Sequence, residues 1–108
     1  MTVRELAESM GFSAFCMPEP DREVTGGYAG DLLSWVMGNA KADQVWVTIM
    51  SNVNVAAVAS LTDVAAVVLC EGVAPDPDTL EKARTKGINL LGTEKTAFDT
   101  VLGMKGLV

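Results

Sequence analysis

The run Gln44-Val45-Trp46-Val47-Thr48-Ile49-Met50 decides the fold. It is rich in β-branched and aromatic residues and apolar at odd and even positions alike, so an extended chain here needs cover on both sides. That is the signature of a central strand between two layers of helix. Ala65-Ala66-Val67-Val68-Leu69-Cys70 has the same character, and Ile88-Asn89-Leu90-Leu91 is a shorter version of it. The segments between these runs read as helices. From Asn52 to Leu61 the valines favour strand, while the alanines and a capping Asn favour helix, and a short helix is expected. Over 77–86, Asp76 offers a cap, Pro77 suits the first turn, Leu80 and Ala83 share a face, Asp78 and Lys82 are spaced as an ion pair, and Gly87 supplies the stop. A last helix over 94–105 has Thr93 as its cap and Phe98, Val101 and Leu102 as its apolar face.

Upstream, Leu32, Leu33, Val36, Met37 and Ala40 recur at helical spacing, predicting a helix over 29–39 with Asp31 in its first turn. Thr2 and Glu5 have capping-box spacing ahead of a helix over 2–10, and Phe12 to Met17 reads as a strand. Residues 18–27 hold two prolines, a charge cluster and paired glycines, which predict a loop with a short edge strand near Val24. Alternating strand and helix gives an α/β fold: a single small domain with a mostly parallel sheet of about four strands and helices on both faces. Segments 44–50, 65–70 and 88–91 are expected to be adjacent and parallel.

Composition agrees with one such domain. The chain has 108 residues, 49% of them hydrophobic and 20% charged, enough apolar material for one core of this size. It contains no His, which removes imidazole bases, Ser-His-Asp triads and His-bearing zinc sites. A net charge of −6 with no basic stripe argues against nucleic acid. No apolar run approaches the ~20 residues of a membrane span. Cys16 and Cys70 lie in apolar stretches without Cys-x-x-Cys spacing and read as buried reduced thiols, which fits a cytoplasmic setting. Apolar content this high in a small globule also predicts a homodimer.

Open parallel sheets bind ligands beyond the carboxyl ends of their strands. The turns expected there hold Ser51, Asn52, Asn54 and Gly72, with Thr25, Gly26 and Gly27 joining them if the helix after them packs beside the central strand. These seven are the candidate ligand-binding residues; no metal-binding or catalytic set and no cofactor is indicated. Glycines let a ligand approach the backbone, and amides and hydroxyls orient it without charge. Helix capping explains Ser51, Asn52 and Asn54 equally well, and a turn before a helix explains Gly26-Gly27-Tyr28-Ala29-Gly30 better than a phosphate loop, since the dinucleotide and P-loop spacings are not met. Asp76 and Asp78 belong in a first helical turn rather than in a metal or acid pair.

The ordered segments Asp21-Arg22-Glu23-Val24-Thr25-Gly26-Gly27-Tyr28-Ala29-Gly30-Asp31-Leu32-Leu33-Ser34, Trp46-Val47-Thr48, Asn54-Val55-Ala56-Ala57-Val58-Ala59-Ser60-Leu61, Gly72 and Pro75-Asp76 resemble the DRTGG domain over residues 12 to 105. That family is similar to the N-terminal domain of HPr kinase/phosphorylase and to the regulatory region of long phosphotransacetylases, and it occurs beside CBS domains. It has no established biochemical function of its own. The resemblance implies a stand-alone regulatory or ligand-sensing domain, not an enzyme, with an adenine nucleotide as ligand and an enzyme partner such as an iron-only hydrogenase system. The chain departs from the family at Ser51-Asn52-Val53, near which a His is expected. The kinase chemistry of the larger relative belongs to a P-loop domain that this sequence lacks. The alternative is an assembly module that homodimerises or docks on an enzyme and binds no small molecule.

Overall fold

A computed structural model describes all 108 residues. Its elements are α1 (Val3–Met10), β1 (Ser13–Cys16), β2 (Gly26–Ala29), α2 (Leu33–Asn39), β3 (Gln44–Thr48), α3 (Val53–Thr62), β4 (Ala66–Leu69), α4 (Pro77–Lys86), β5 (Leu90–Gly92) and α5 (Ala97–Met104). They form one five-stranded sheet in the order β1-β5-β4-β3-β2. β2, β3, β4 and β5 run parallel, and β1 closes the far edge antiparallel to β5. The three strands expected to be adjacent and parallel are so, and 53–62 is the helix that its composition left ambiguous.

Alternate residues of the central strands feed two cores. Val45, Val47, Ala66, Val68 and Leu91 pack with Val3, Leu6 and Met104 on the side covered by α1 and α5. Trp46, Val67, Leu69 and Leu90 pack with Val36, Val55, Ala59 and Ala83 on the side covered by α2, α3 and α4. Every residue of β4 and β5 is buried, which is why these strands read as unbroken apolar runs.

Helix ends follow local chemistry. Thr2 and Glu5 form the reciprocal capping box of α1, each side chain accepting the other's backbone N–H, and Gly11 ends the helix in the left-handed region at φ 69°. The bonds to Thr2 hold the exposed Glu5 carboxyl below its ordinary pKa. Asn52 caps α3 by accepting the Asn54 N–H, and α4 begins with Pro77 and stops at Gly87, φ 72°.

Four expectations are corrected. The sheet has five strands, because Gly26–Ala29 is an edge strand hydrogen-bonded to β3 rather than a turn, and the strand sits just past Val24. Helix α2 consequently starts at Leu33, and Asp31 lies before it. Thr96 rather than Thr93 caps α5, so the helix starts later than expected. Phe98, Val101 and Leu102, expected to face the core, are 73%, 44% and 55% exposed, whereas Thr100 and Met104 carry the buried face. In addition, Asp78 accepts the N–H of Thr79 and forms no ion pair with Lys82.

Candidate functional site

The carboxyl edge of the parallel strands is built from turns that satisfy their own polar groups. The fully buried Thr48 hydroxyl donates to Asp31 Oδ1 at 2.7 Å, and the same oxygen accepts the Ile49 N–H at 3.1 Å. Asp31 thus fastens the β2–α2 turn to the end of β3. The Ser51 carbonyl accepts the Asp76 N–H at 3.1 Å and the buried Thr79 hydroxyl at 2.8 Å, tying that turn to the start of α4. Its own hydroxyl reaches Asp76 Oδ1 at 3.5 Å. Asn52 is occupied by capping at 2.9 Å. Asn54 is exposed and contributes its backbone N–H to that cap.

Gly72 sits in the turn after β4, where Glu71 and Gly72 both take positive φ (58° and 72°). The Glu71 and Gly72 N–H groups donate to the Lys95 and Thr93 carbonyls at 2.8 and 2.9 Å, locking the turns after β4 and β5 together. The Glu94 carboxylate lies across Gly72, so that a Cβ there would meet Oε2 at 2.5 Å. Beside this pair of turns is an open cleft of about 450 Å³, bounded by Ser13 and Phe15 of β1, the Gly72–Ala74 turn, Gly92, Thr93 and Glu94. The Phe15 ring lies over Gly92, where a Cβ would come within 2.6 Å of it. An aromatic ring beside a glycine floor suits a flat group, while the hydroxyls at the cleft are engaged: Ser13 Oγ donates to the Gly92 carbonyl at 3.3 Å and Thr93 Oγ1 accepts the Lys95 N–H at 3.3 Å. The turns at this end of the sheet and the first turn of α4 carry Asp31, Glu71, Asp76, Asp78 and Glu94 against Lys95, so the rim disfavours free anions.

The seven sequence-predicted residues do not converge. Ser51, Asn52, Asn54 and Gly72 lie on this carboxyl edge. Thr25 and Gly26 lie at the opposite edge, because β2 starts there: Gly26 pairs with Gln44, the first residue of β3, and the Thr25 N–H donates to the Asp43 carbonyl at 3.0 Å. Gly27 pairs with Val45 and is exposed on the side of α5.

The amino edge carries a polar latch that was not anticipated. Arg22 donates through Nε and Nη2 to Asp43 Oδ1 at 3.1 and 2.9 Å, and Nη2 also lies 2.9 Å from Asp63 Oδ1 and donates to the Asp63 carbonyl. Asp43 and Asp63 both take left-handed φ, 67° and 59°, at the turns entering β3 and following α3. Burial alone would lower the guanidinium pKa, but the two carboxylates outweigh it and hold Arg22 above its ordinary value. Asn89, 1% exposed, accepts the Glu19 N–H and donates to the Glu19 and Ala65 carbonyls, stitching the loop before β2 to the sheet. The one sequence signal for it was a polar residue inside the apolar run Ile88–Leu91. The Arg of the DRTGG-like segment therefore sits in a structural clamp.

Neither thiol is activated. Burial raises the pKa of both, outweighing the opposite effect of the bond that Cys70 donates to Thr100 Oγ1; Cys16 donates to the Ile88 carbonyl.

This arrangement is a single α/β domain with a mostly parallel five-stranded sheet, and its fold is similar to that of a solved structure. The chain superposes, with a TM-score of 0.70, on the CBS and DRTGG domains of the regulatory region of Clostridium perfringens pyrophosphatase, a structure complexed with the activator diadenosine tetraphosphate. Identity is 12%, and the match covers 94% of this chain and 46% of that one, so this chain spans about half the length of its structural neighbour. No protein-family model and no curated protein matches the sequence. No helix is long and apolar enough to cross a membrane.

Proposed function

We propose that this chain is a non-catalytic regulatory domain that senses an adenine nucleotide at the carboxyl-edge cleft. The observation that carries this is the fold shared over 94% of the chain with a regulatory region that binds an adenine dinucleotide activator. The chemistry of the residues supports it. There is no imidazole in the chain, both thiols are held protonated by burial, and the polar groups of the Ser51 and Asn52 turns are engaged in structure. The cleft accepts the purine, stacked on Phe15 above Gly92, and the acidic rim keeps the phosphates outside in solvent or under a divalent cation. Gly72 is the sequence-predicted residue that borders this cleft.

Thermal-shift titration against adenosine, AMP, ATP and diadenosine tetraphosphate tests the reading. A saturable rise in Tm that grows with ligand concentration, and is lost in Phe15→Ala, is the expected result. Silence toward all four compounds overturns it and leaves the assembly-module reading, which the exposed apolar face of α5 favours.

A further inference from the structure

Two side chains of opposite character border the carboxyl-edge cleft from one strand end. Gly92, the last residue of β5, lies under the Phe15 ring, and Glu94 follows it by two positions. Two residues of chain span at most about 7 Å, so the glycine floor beneath the ring and the root of the Glu94 side chain share one opening. The Glu94 carboxylate is laid across the turn after β4, where a Cβ on Gly72 would stand 2.5 Å from Oε2 and 3.4 Å from Oε1. It does nothing visible for the fold. The chain's ion pairs engage Glu19, Asp21, Glu23, Asp43 and Asp63, and none engages Glu94. The neighbouring Lys95 N–H goes to Thr93 Oγ1 instead. Both carboxylate oxygens of this exposed residue therefore stand open to a ligand beside the aromatic ring.

We infer that Glu94 is the specificity-determining residue of the cleft, accepting hydrogen bonds from the 2′- and 3′-hydroxyls of a ribose; this rests on the adenine-nucleotide reading above and says which sugar the ligand carries. An ionised carboxylate only accepts, so it needs donors, and its two oxygens suit two donors side by side. The adenine edge is the poorer match, because its amino group is flanked by ring-nitrogen acceptors that the second carboxylate oxygen repels. Phosphates are disfavoured by like charge. The cis-diol of the ribose remains, with two adjacent O–H donors and no charge. In dinucleotide-binding parallel sheets an acidic residue bonds the ribose 2′-hydroxyl, and ligands sit beyond the carboxyl ends of the strands. Glu94 stands in such a place, two residues past the end of β5, which runs parallel to β4. Hydrogen bonds to an ionised acceptor are roughly twice as strong as neutral ones, so this one side chain suffices to tell ribose from deoxyribose.

Isothermal titration of the whole chain with adenosine, 2′-deoxyadenosine and adenosine 2′-monophosphate tests the role of Glu94. The wild type is expected to bind adenosine roughly tenfold or more tightly than 2′-deoxyadenosine, and to reject the 2′-phosphate. Glu94→Ala is expected to weaken adenosine and to bring the two nucleosides within about twofold of each other. Its ligand-free Tm should match the wild type, since the carboxylate supports nothing in the fold. Phe15→Ala is expected to weaken both nucleosides alike and keep their ratio, which separates stacking of the base from recognition of the sugar. Equal affinity of the wild type for the two nucleosides, or a ribose preference that survives Glu94→Ala, overturns the role of Glu94 while adenine binding in the cleft stands. Failure of either nucleoside to bind overturns both the role of Glu94 and the nucleotide reading beneath it.

Discussion

The Arg22 guanidinium and the Asp43 carboxylate, 21 positions apart in the chain, meet in a two-pronged contact at 3.1 and 2.9 Å on a single carboxylate oxygen. That contact does more than join two loops. Asp43 is held in a left-handed turn at the entrance to β3, and the same guanidinium reaches Asp63 in another such turn at the end of α3. Non-glycine residues take this conformation at a cost of roughly 1 kcal/mol or more, and Arg22 offsets it at two places at once. The Thr25 N–H bonds the Asp43 carbonyl, so the clamp also sets where β2 joins the sheet.

Arg22→Ala is therefore expected to destabilise the fold by about 2 kcal/mol, as loss of charge-assisted bonds predicts. Arg22→Lys should recover little, because an ammonium cannot present Nε and Nη2 together. Urea denaturation measures both. Near-wild-type midpoints in Arg22→Ala would show that the two left-handed turns stand without the clamp.

The amino-edge latch was the part of the molecule least legible from sequence. Val45 to Thr48 and Ala66 to Leu69 declared themselves because burial on both faces leaves an unmistakable apolar run. Gly26-Gly27 did not, since glycine has no side chain to favour a strand; it is extended because β3 presents an open edge to pair with. Missing that strand reversed the placement of Thr25 and Gly26, whose end of the sheet depends on the direction of β2. Periodicity likewise grouped Phe98, Val101 and Leu102 on one face correctly, yet could not say whether anything covers that face. Arg22 and Asn89 act through contacts over 21 and 70 positions, and no local spacing encodes those.

Asn52 and Asn54, equivalent on the page of sequence, should separate cleanly on mutation. Asn52→Ala removes the side-chain acceptor that caps α3 and is expected to cost about 1 kcal/mol. Asn54→Ala leaves that bond intact, since only its backbone N–H takes part, and an exposed first-turn alanine favours helix, so stability should hold within ~0.5 kcal/mol. Equal losses in thermal denaturation would refute this division.

The two thiols make stability depend on alkaline pH. Burial raises the folded-state pKa of Cys70 and Cys16 above the ordinary value of 9.0, so the unfolded chain releases those protons first. The folded state then binds more protons than the unfolded state, and stability falls as pH rises. The contribution is complete below pH 9.0 and is lost progressively above it. Denaturation midpoints measured from pH 8 upward should decline, and Cys70→Ser should lessen that decline. Rapid alkylation of Cys70 in the native protein at pH 8 would contradict the burial on which the argument rests.

Gly92 and Phe15 should prove energetically coupled, and their coupling reports on the carboxyl-edge cleft. Gly92 has no positive φ, so its glycine is required by space alone: a Cβ there would lie 2.6 Å from Cε2 of Phe15 and 3.0 Å from Cζ. The first distance is too short for a packed protein and the second is tight, so Gly92→Ala must push the ring aside, at a cost of roughly 1–3 kcal/mol. Phe15→Ala alone removes the obstructing ring and forfeits its half-buried packing against the Trp46 side of the core. In the double variant the new methyl enters space the ring has left. The summed single losses should therefore exceed the double loss by about 1 kcal/mol, the sign expected when one change relieves the clash created by the other. Denaturant titration of the four proteins in the cycle measures this directly. Strictly additive losses would mean that Phe15 turns away from Gly92 without cost, and the purine-stacking surface assigned to the cleft would lose its fixed wall.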